Sequence, residues 1–334
     1  MRDRPFIEVA VDGQPVAGVF YSRLVSATLH DATGQDADTC ELVLDDAGNT
    51  LAAPREGARL LVRFGYRDVG TWMMGLYTVE SVSFEGGPHG ETMTVSGRSA
   101  DMRSDLKEPR SEHFDNETVG GVMRQLADRH GLEAAVSPEL AAEPLPYIAR
   151  IDQSTLDFAT RIADRVGGLF SVKGGKLVLV KRGSGSATGK VVPALTIERS
   201  QVSDWRVEGD PRPRYGGAEA KWFDRKTGKI EIEEAETGQQ GPGRRLRHVL
   251  SSKDEAKKAA SAEAGRLSRA TGSGSITLAG LPEVRAEMDV VLTGFRAEIN
   301  GRWRAASVEH RFDGSYTTTI ELEAPEGGRK EGRK

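Results

Sequence analysis

A glycine-rich segment is the part of this sequence that comes closest to a nucleotide-binding motif. GSGSATGK, residues 183–190, has the composition of a phosphate-binding loop. A P-loop needs four residues between its first Gly and the Gly-Lys pair, and then Ser or Thr. Here three residues separate Gly185 from Gly189, and Val191 follows Lys190. The spacing does not fit, so the segment is interpreted as a linker. The sequence also has no Gly-x-Ser-x-Gly nucleophile motif.

The histidines form no pattern that predicts a metal site or a catalytic base. No two stand at i, i+4, and no His-Glu-x-x-His occurs. His310 lies on the apolar face of a predicted strand, where a buried, hydrogen-bonded structural histidine is favoured over a ligand or a base. The six histidines are His30, His89, His113, His130, His248 and His310.

Cysteine, acidic and tryptophan residues also have structural interpretations. Cys40 is the single cysteine, which excludes an intrachain disulfide, and its alternating strand predicts a small core residue. An acidic run beside Lys226 and Lys229 is interpreted as a solvated loop; it contains Glu231, Glu233, Glu234 and Glu236. Four tryptophans are predicted as core or interface anchors: Trp72, Trp205, Trp222 and Trp303. We therefore expect no catalytic, cofactor or metal site and no enzyme activity, and the interface residues are not identified.

Residues 1–100 have the pattern of an all-β domain. Segments of alternating hydrophobicity follow one another at short spacing, separated by Gly, Asp and Pro: FIEVAV, LVSATLH, CELVLDD, RLLVRFGY, GLYTVESVSF and ETMTVSGRS. Many short strands at such spacing are typical of a sandwich or a barrel.

Residues 101–190 predict an α+β insert. Thr118–Gly131 carries apolar residues at helical spacing, with its final glycine as the C′ residue. Leu156–Gly167 repeats this pattern, with Ser154 as N-cap and Asp157 in a variant of the capping box. The segment LFSVKGGKLVLV then predicts a hairpin that turns at its Gly-Gly pair.

Residues 191–325 return to β structure, with one polar helix over residues 252–270 that begins at a Ser252/Glu255 capping box. Its apolar face is mostly Ala. Residues 326–334, a charged Gly-rich tail, are expected to be disordered.

The last two strands predict a hairpin with one buried face. Even-numbered positions from Ala306 to Leu322 are mostly apolar, and odd-numbered positions are polar. A three-residue loop, Asp313-Gly314-Ser315, sets Val308 opposite Ile320 and Ala306 opposite Leu322, which keeps the apolar side chains on one face. A two-residue loop would mix the faces.

Bulk composition excludes several classes of protein. Lys and Arg number 46 against 50 Asp and Glu, which gives a net charge of −4. The whole chain therefore lacks the excess of positive charge that is typical of nucleic-acid-binding proteins. No apolar run approaches the ~18 residues of a membrane span, so we expect no stable membrane insertion. The first residues, MRDRPFIEVAVDG, have no apolar signal core, so Sec export is not expected.

Three long segments together resemble a known family. They are TVSGRSADMRSDLKEPRS with the helix that follows it (residues 94–132), IDQSTLDFATRIADRVGGLFSVKGGKLVLV (residues 151–180), and SGSITLAGLPEV through to TTTIELE (residues 273–323). In their residues and in their order along the chain, they are similar to the late control protein D family, the tail hub of contractile-tailed phages. None of the three is a catalytic signature; the series carries the resemblance.

The resemblance implies a fold, an assembly and partners. Such hubs are trimers in which each subunit donates two tube-like β-barrel domains, here residues 1–100 and 191–325, flanking the insert. Six barrels form a pseudo-sixfold ring that adapts the tail tube, or a tube-adaptor protein, to the central spike. The implied partners also include the tape-measure protein and the baseplate wedge. DNA would pass through the channel without specific binding. The implied location is the virion tail baseplate, assembled in the host bacterial cytoplasm.

Several alternatives stay open. A tailocin or another DNA-free contractile injection system would use a similar hub. A type VI spike protein would need a long repetitive C-terminal region, and the sequence stops at Lys334 without one. A peptidoglycan hydrolase carried by residues 101–190 is the enzymatic alternative, although no Glu-His-Asp or Cys-His arrangement stands there. A carbohydrate-binding module would need an exposed aromatic platform around Trp72 or Trp222.

Overall fold

The computed structural model of the chain describes residues 4–33, 38–88, 90–99, 104–173, 175–181, 193–209 and 215–325. The predicted linker over residues 183–190, the predicted tail over residues 326–334 and His89 lie outside these ranges. Strands dominate, as the sequence predicts, and short helices occur mostly in the middle of the chain.

The first group of elements surrounds a core of alternating strand residues such as Leu42, Val62 and Val95. Its elements are β1 Pro5–Val11, β2 Gln14–Pro15, α1 Gly18–Arg23, β3 Leu24–Asp31, β4 Thr39–Asp45, β5 Arg59–Tyr66, β6 Gly70–Gly87 and β7 Gly90–Arg98. β6 is long enough to pair with β5 through its first half and with β7 through its second half.

The insert is a separate α+β unit. Its elements are a 3-10 turn at Ser104–Lys107, β8 Arg110–Thr118, α2 Val119–Arg129, β9 Glu133–Val136, α3 Pro138–Ala141, β10 Pro144–Gln153, α4 Thr155–Arg165, β11 Gly168–Lys173 and β12 Lys176–Lys181. The apolar faces of α2 and α4 supply its core, together with strand residues such as Phe114 and Leu179. The stacked rings of Phe114 and Phe158 have centroids 5.6 Å apart.

The second group returns to strands. Its elements are β13 Leu195–Glu198, a 3-10 turn at Arg199–Gln201, β14 Val202–Gly209, β15 Gly217–Asp224, β16 Lys229–Glu236, β17 Gly243–Leu250, α5 Lys253–Arg269, β18 Gly272–Ala279, β19 Asp289–Thr293, β20 Gly301–Phe312 and β21 Tyr316–Glu323.

Within this second group, α5 and three strands form a layer of their own. β16, β15 and β17 pair as a separate three-stranded sheet, and the alanine face of α5 packs on it. The predicted helix is thus confirmed, but it packs on its own small sheet.

The remaining strands of both groups form one continuous sheet. Its order is β14-β18-β21-β20-β3-β4-β7-β6-β5-β1-β2, with β19 on β20 and β13 on β19. The two groups meet where β20 pairs antiparallel with β3, from Val308 opposite Asp31 to Phe312 opposite Ala27. The chain therefore joins strands near its two ends through backbone hydrogen bonds.

The two groups repeat one strand order. In the sheet the first runs β3-β4-β7-β6-β5-β1, and the second runs β14-β18-β21-β20-β19-β13. Matched strands therefore follow each other in the same sequence along the chain. One direction differs, because β1 lies antiparallel to β5 and β13 lies parallel to β19.

The repeat extends to single residues. β6 has a register shift between Val79 and Ser81 opposite β7, and β20 has the matching shift between Ala305 and Ser307 opposite β21. A second matched shift lies in β3 and in β14. The amide of Gly57 donates to Val79, and that of Glu287 donates to Ala305. Both donors adopt positive φ, 78° and 68°, although Glu carries a Cβ.

The C-terminal hairpin confirms most of its predicted register. Phe312 pairs with Tyr316 across a three-residue loop, and Val308 lies opposite Ile320. The predicted pairing of Ala306 with Leu322 is wrong, because the bulge moves Ala305 opposite Leu322. A bulge places an extra residue in one strand, so the simple alternation of sequence positions loses one step there.

The helix caps follow the sequence signals. Thr118 accepts a hydrogen bond from the Gly121 amide, and Ser154 accepts one from the Asp157 amide. Gly131 follows α2 with φ 62°. At α5, Ser252 caps the Glu255 amide, but the Glu255 carboxylate accepts from Ser251 rather than from the cap residue.

Candidate functional site

The seam where β3 meets β20 is the feature of the fold best placed to carry function, since it unites the two strand groups. His310 lies at its centre, buried, opposite Leu29. Its Nδ1 lies 3.1 Å from the Thr318 hydroxyl and 2.9 Å from the Tyr316 hydroxyl. Burial, with the nearby positive charge of Arg285, lowers the pKa of His310 to about 3. The imidazole is therefore neutral, as a structural histidine would be.

Aromatic side chains from both groups pack beneath the seam. Phe64 meets Tyr316 edge to face, with centroids 5.2 Å apart, and Phe312 lies 6.1 Å from Phe64. The Tyr66 hydroxyl donates to the Gly280 carbonyl at 2.7 Å. A Cβ at Gly280 would overlap the Tyr316 ring, so the close approach of the backbone to this ring requires glycine. The seam is thus closed by packing as well as by backbone hydrogen bonds.

A partly buried ion cluster ties the insert to this seam. The Lys173 ammonium, at the end of β11, lies 2.6 Å from Asp31 Oδ1 and 2.8 Å from Asp38 Oδ1. It also donates to the Ala32 carbonyl at 3.0 Å. The second oxygen of Asp31 accepts from the Ala286 amide at 2.9 Å. One lysine of the insert therefore contacts the first group through two carboxylates, and Asp31 connects onward to the second group.

The cluster perturbs its three ionisable groups in different directions. Burial raises the pKa of Asp38, and the negative charge of Asp31 adds to this, so that it reaches about 6. Burial acts on Asp31 as well, but the charge and hydrogen bonds of Lys173 outweigh it and lower that pKa. At Lys173 the two carboxylates outweigh burial and raise the pKa. A raised carboxyl pKa is also what a general acid needs, but here Asp38 is held by an ammonium and by the Ala32 amide.

Arg285 makes a further link between the groups. Its guanidinium donates to the carbonyls of Pro282 and Val284 at 2.7 Å, and to the Met73 carbonyl of β6 at 2.9 Å. A planar guanidinium can hold several carbonyls at once because its five donors have fixed directions. This arginine therefore connects the loop before β19 to the first group by hydrogen bonds.

Most of the residues considered as candidate site residues from the sequence have a structural role in the fold. Cys40 is a buried core residue, and burial raises the pKa of its thiol. Trp303 is fully buried and donates to the Ile299 carbonyl at 2.8 Å. Trp222 packs beside α5, and Trp205 lies exposed near Phe295. The acidic run lies on β16, a strand rather than the predicted loop.

The other histidines and a groove between α4 and α5 do not assemble a catalytic pattern among the described residues. His130 lies 3.0 Å from the Thr155 hydroxyl inside the insert, and exposed His113 pairs with Asp115. This groove of about 770 Å³ is lined by basic and acidic side chains together with small and apolar residues. Its Glu263 is paired with Arg244 and Arg266. In the described ranges no group of three or more His, Cys, Asp or Glu could hold a metal ion.

Sequence reasoning missed Asp31, Asp38, Lys173 and Arg285. These are ordinary charged residues at strand ends or in loops, and they come from three parts of the chain that lie more than a hundred positions apart. One sequence signal was available, since a lysine before a Gly-Gly turn lies at the tip of its hairpin. Nothing in the spacing shows what the tip contacts.

The chain belongs to the phage tail baseplate hub (GPD) family, whose model matches residues 79–316. The probable baseplate hub protein of Escherichia phage P2 is 31% identical to it, over 96% of this chain and 93% of that protein. The counterpart in Escherichia phage 186 is 30% identical, over 96% and 92%. The family expected from the sequence is confirmed, and the protein is a baseplate hub component of phage tails.

Solved structures with the same fold come from tails and from a secretion system. A 43 kDa tail protein of prophage MuSo2 from Shewanella oneidensis matches with a TM-score of 0.73 at 17% identity, over 97% of this chain and 99% of that chain. A tail protein from Neisseria meningitidis MC58 gives 0.71 at 13% identity, over 96% and 97%. The E. coli c3393 protein, a component of the type VI secretion system, gives 0.60 at 11%, over 99% and 80%. In the described part of this chain, no helix is long and apolar enough to cross a membrane.

Proposed function

We propose that three copies of this chain close into a pseudo-sixfold ring that joins the tail tube to the central spike and leaves a channel between them. Each strand group acts as one tube-like barrel domain, over residues 1–100 and 191–325. Residues 101–190 form the insert that decorates the ring. The chain is a structural hub and not an enzyme.

The internal repeat is the observation that carries this proposal. Two groups with one strand order lie edge to edge in a single chain, joined by β3 and β20. Three such chains supply six similar units, which match a sixfold tube, while the three inserts keep the threefold symmetry of a spike. Membership of a phage tail baseplate hub family supports a position at the centre of the baseplate.

The seam suits a part that transmits force. A ladder of backbone hydrogen bonds, a packed aromatic cluster and the Lys173 ion cluster all cross it. Load passed from the tube to the spike during sheath contraction would be spread over these contacts. After the spike is released, DNA passes through the channel without specific binding. The balance of 46 basic against 50 acidic residues supports this, since dense phosphate contacts would slow the passage.

The proposed partners follow from this position. The spike binds below the ring and the tube or a tube adaptor binds above it. The tape-measure protein within the tube and the baseplate wedge around the hub complete the set. Assembly takes place in the host cytoplasm, where a chain with a single buried cysteine needs no oxidation.

The mass of the assembled chain tests the proposal. Light scattering after size exclusion is measured on the chain alone and on its mixture with the cognate spike protein. A species with three times the 36.1 kDa of one chain, seen as a ring by negative stain, is the expected result. A monomer in both samples, without spike binding, would overturn it. A zymogram on cell wall should show no clearing by the chain.

A further inference from the structure

Two of the free strand edges in the described part of the chain belong to β14 and to the second half of β6. β14 pairs only with β18, and residues 82–86 of β6 pair only with β7. Both edges present large apolar side chains to solvent, since Phe84 is 58% exposed and Trp205 is 38% exposed. Unpaired edges of this kind are ready templates for another strand.

The internal repeat identifies what such edges pair with elsewhere in the molecule. β14 matches β3 residue for residue, because both have eight residues and a register shift after the first. Because the bulges of β6 and β20 match, residues 82–86 are the counterparts of residues 308–312 in the repeat. Inside the chain these counterparts, β3 and residues 308–312, form the seam.

The burial of side chains differs between the seam and the free edges. In the seam, Leu29 of β3 and His310 of β20 are buried. Their counterparts are Val207, which is half-buried, and Phe84, which is exposed. Ala27 is fully buried, whereas its counterpart Trp205 is exposed. The free edges thus lack the cover that the seam gives to equivalent positions.

Carrying the seam register over to the free edges gives chemically matched pairs. Val207 falls opposite Phe84, and Arg206 falls opposite Glu85. Opposed apolar pairs and opposite charges both stabilise antiparallel strands. Trp205 falls opposite Gly86, where the absence of a side chain leaves room for the indole ring. Glu208 and Ser83 form the next pair.

We propose that β14 of one copy pairs antiparallel with residues 82–86 of β6 in the next copy, in the register that sets Arg206 opposite Glu85. The partner is a second copy of this chain, and the inference rests on the ring of the proposed function. The contact is head to tail, so it closes only when the last copy meets the first. One kind of strand pairing then joins all six units, three times within chains and three times between them.

Cysteine trapping between chains tests the pairing. One chain carries Glu208→Cys and the other carries Ser83→Cys, and they are mixed under mild oxidation. Directly opposed Cβ atoms lie ~5 Å apart, within reach of a disulfide after small adjustment. We expect a covalent dimer on a non-reducing gel from the mixture, and none from either variant alone. Cys40 is buried and should not interfere.

A displaced pair provides the matched control. Asp204→Cys lies on the same face of β14 as Glu208 but four residues away, so it should be ~13 Å from Ser83→Cys. Its mixture should give at least about tenfold less dimer, because a disulfide cannot span that distance. Light scattering on the same mixtures, with and without the cognate spike protein, reports assembly separately.

The outcomes separate the two proposals. Assembly with dimer from the Glu208→Cys mixture alone supports the pairing. Assembly without that dimer, or with equal dimer from the displaced pair, overturns the pairing and leaves the ring standing. Absence of assembly in every sample overturns both.

Discussion

His310 of β20 lies directly opposite Leu29 of β3, so a buried imidazole occupies the centre of the strand pair that joins the two halves of the sheet. Hydroxyl groups of Thr318 and Tyr316 contact its Nδ1, and burial, together with the positive charge of Arg285, keeps the imidazole neutral. A neutral buried histidine makes this seam sensitive to acid.

The first prediction concerns that acid sensitivity. The pKa of His310 is about 3 in the folded chain against 6.5 for an ordinary histidine, so the unfolded chain takes up the proton first. The stability that it contributes is complete above pH 6.5 and is lost as pH falls toward 3. Between pH 7 and 4.5 this group should remove about 2–3 kcal/mol from the free energy of unfolding. Urea unfolding of the parent chain and of His310→Gln at the two pH values measures this contribution by difference, because the opposite contribution of Asp38 is common to both.

His310→Gln should lose most of that pH dependence, because glutamine does not titrate. His113→Gln is the matched control, since His113 is exposed on the insert, where it pairs with Asp115 and stacks on Tyr147. If both variants show the same slope as the parent chain, buried His310 is not the source.

The second prediction has the opposite sign in the same pH range. The pKa of Asp38 is about 6 when folded and 3.8 otherwise, so the folded chain takes up this proton first. Its contribution to stability therefore grows as pH falls from 6 to 4, by about 2 kcal/mol. Asp38→Asn should make the chain relatively less stable at pH 4 than at pH 7, compared with the parent. An unchanged difference between the two pH values would contradict the buried cluster.

The third prediction concerns the cation of the cluster. Lys173→Met keeps the length of the side chain but leaves Asp31 and Asp38 facing each other without a positive charge. Removing one partner of a fully buried ion pair costs about 3–5 kcal/mol. Because these side chains are 15–32% exposed, we expect a loss of about 2 kcal/mol at neutral pH. Adding Asp38→Asn should recover part of the loss, since a single carboxylate then remains. Denaturant unfolding of the single and double variants measures both effects.

Lys176→Met controls for loss of a lysine. Lys176 lies in the same hairpin, but its pair with Glu133 is exposed to solvent. Exposed pairs contribute about 0–1 kcal/mol. Equal losses from the two lysine variants would mean that the cluster does not behave as buried.

The fourth prediction concerns the close approach at Gly280. Gly280→Ala places a methyl group inside the Tyr316 ring, and that ring packs against Phe64 of the first group. Overpacking of this kind costs about 1–3 kcal/mol. Gly18→Ala, in α1 where a Cβ meets open space, should be neutral or slightly stabilising. The midpoint of thermal unfolding compares them, and equal midpoints would contradict the packing at the seam.

Local pattern was sufficient for the elements. The spacing of apolar residues, with the caps at Ser154 and Ser252 and the glycine at Gly131, predicted helices α2, α4 and α5, because a helix end depends on side chains within a few residues. Alternation likewise predicted the three-residue loop of the last hairpin. It misplaced Ala306, since a bulge changes the register without changing the composition of the strand.

The sequence by itself determined the mainly β class, the helices of the insert, the core role of Cys40 and the family of the chain. Only the tertiary structure decided which strands meet when they are distant in the chain. The pairing of β3 with β20, the cluster of Lys173 with Asp31 and Asp38, and the repeat of strand order all link positions far apart in the chain. Such contacts depend on how distant segments are brought together. A periodic pattern reports only which face of a strand is buried, not which strand lies beside it.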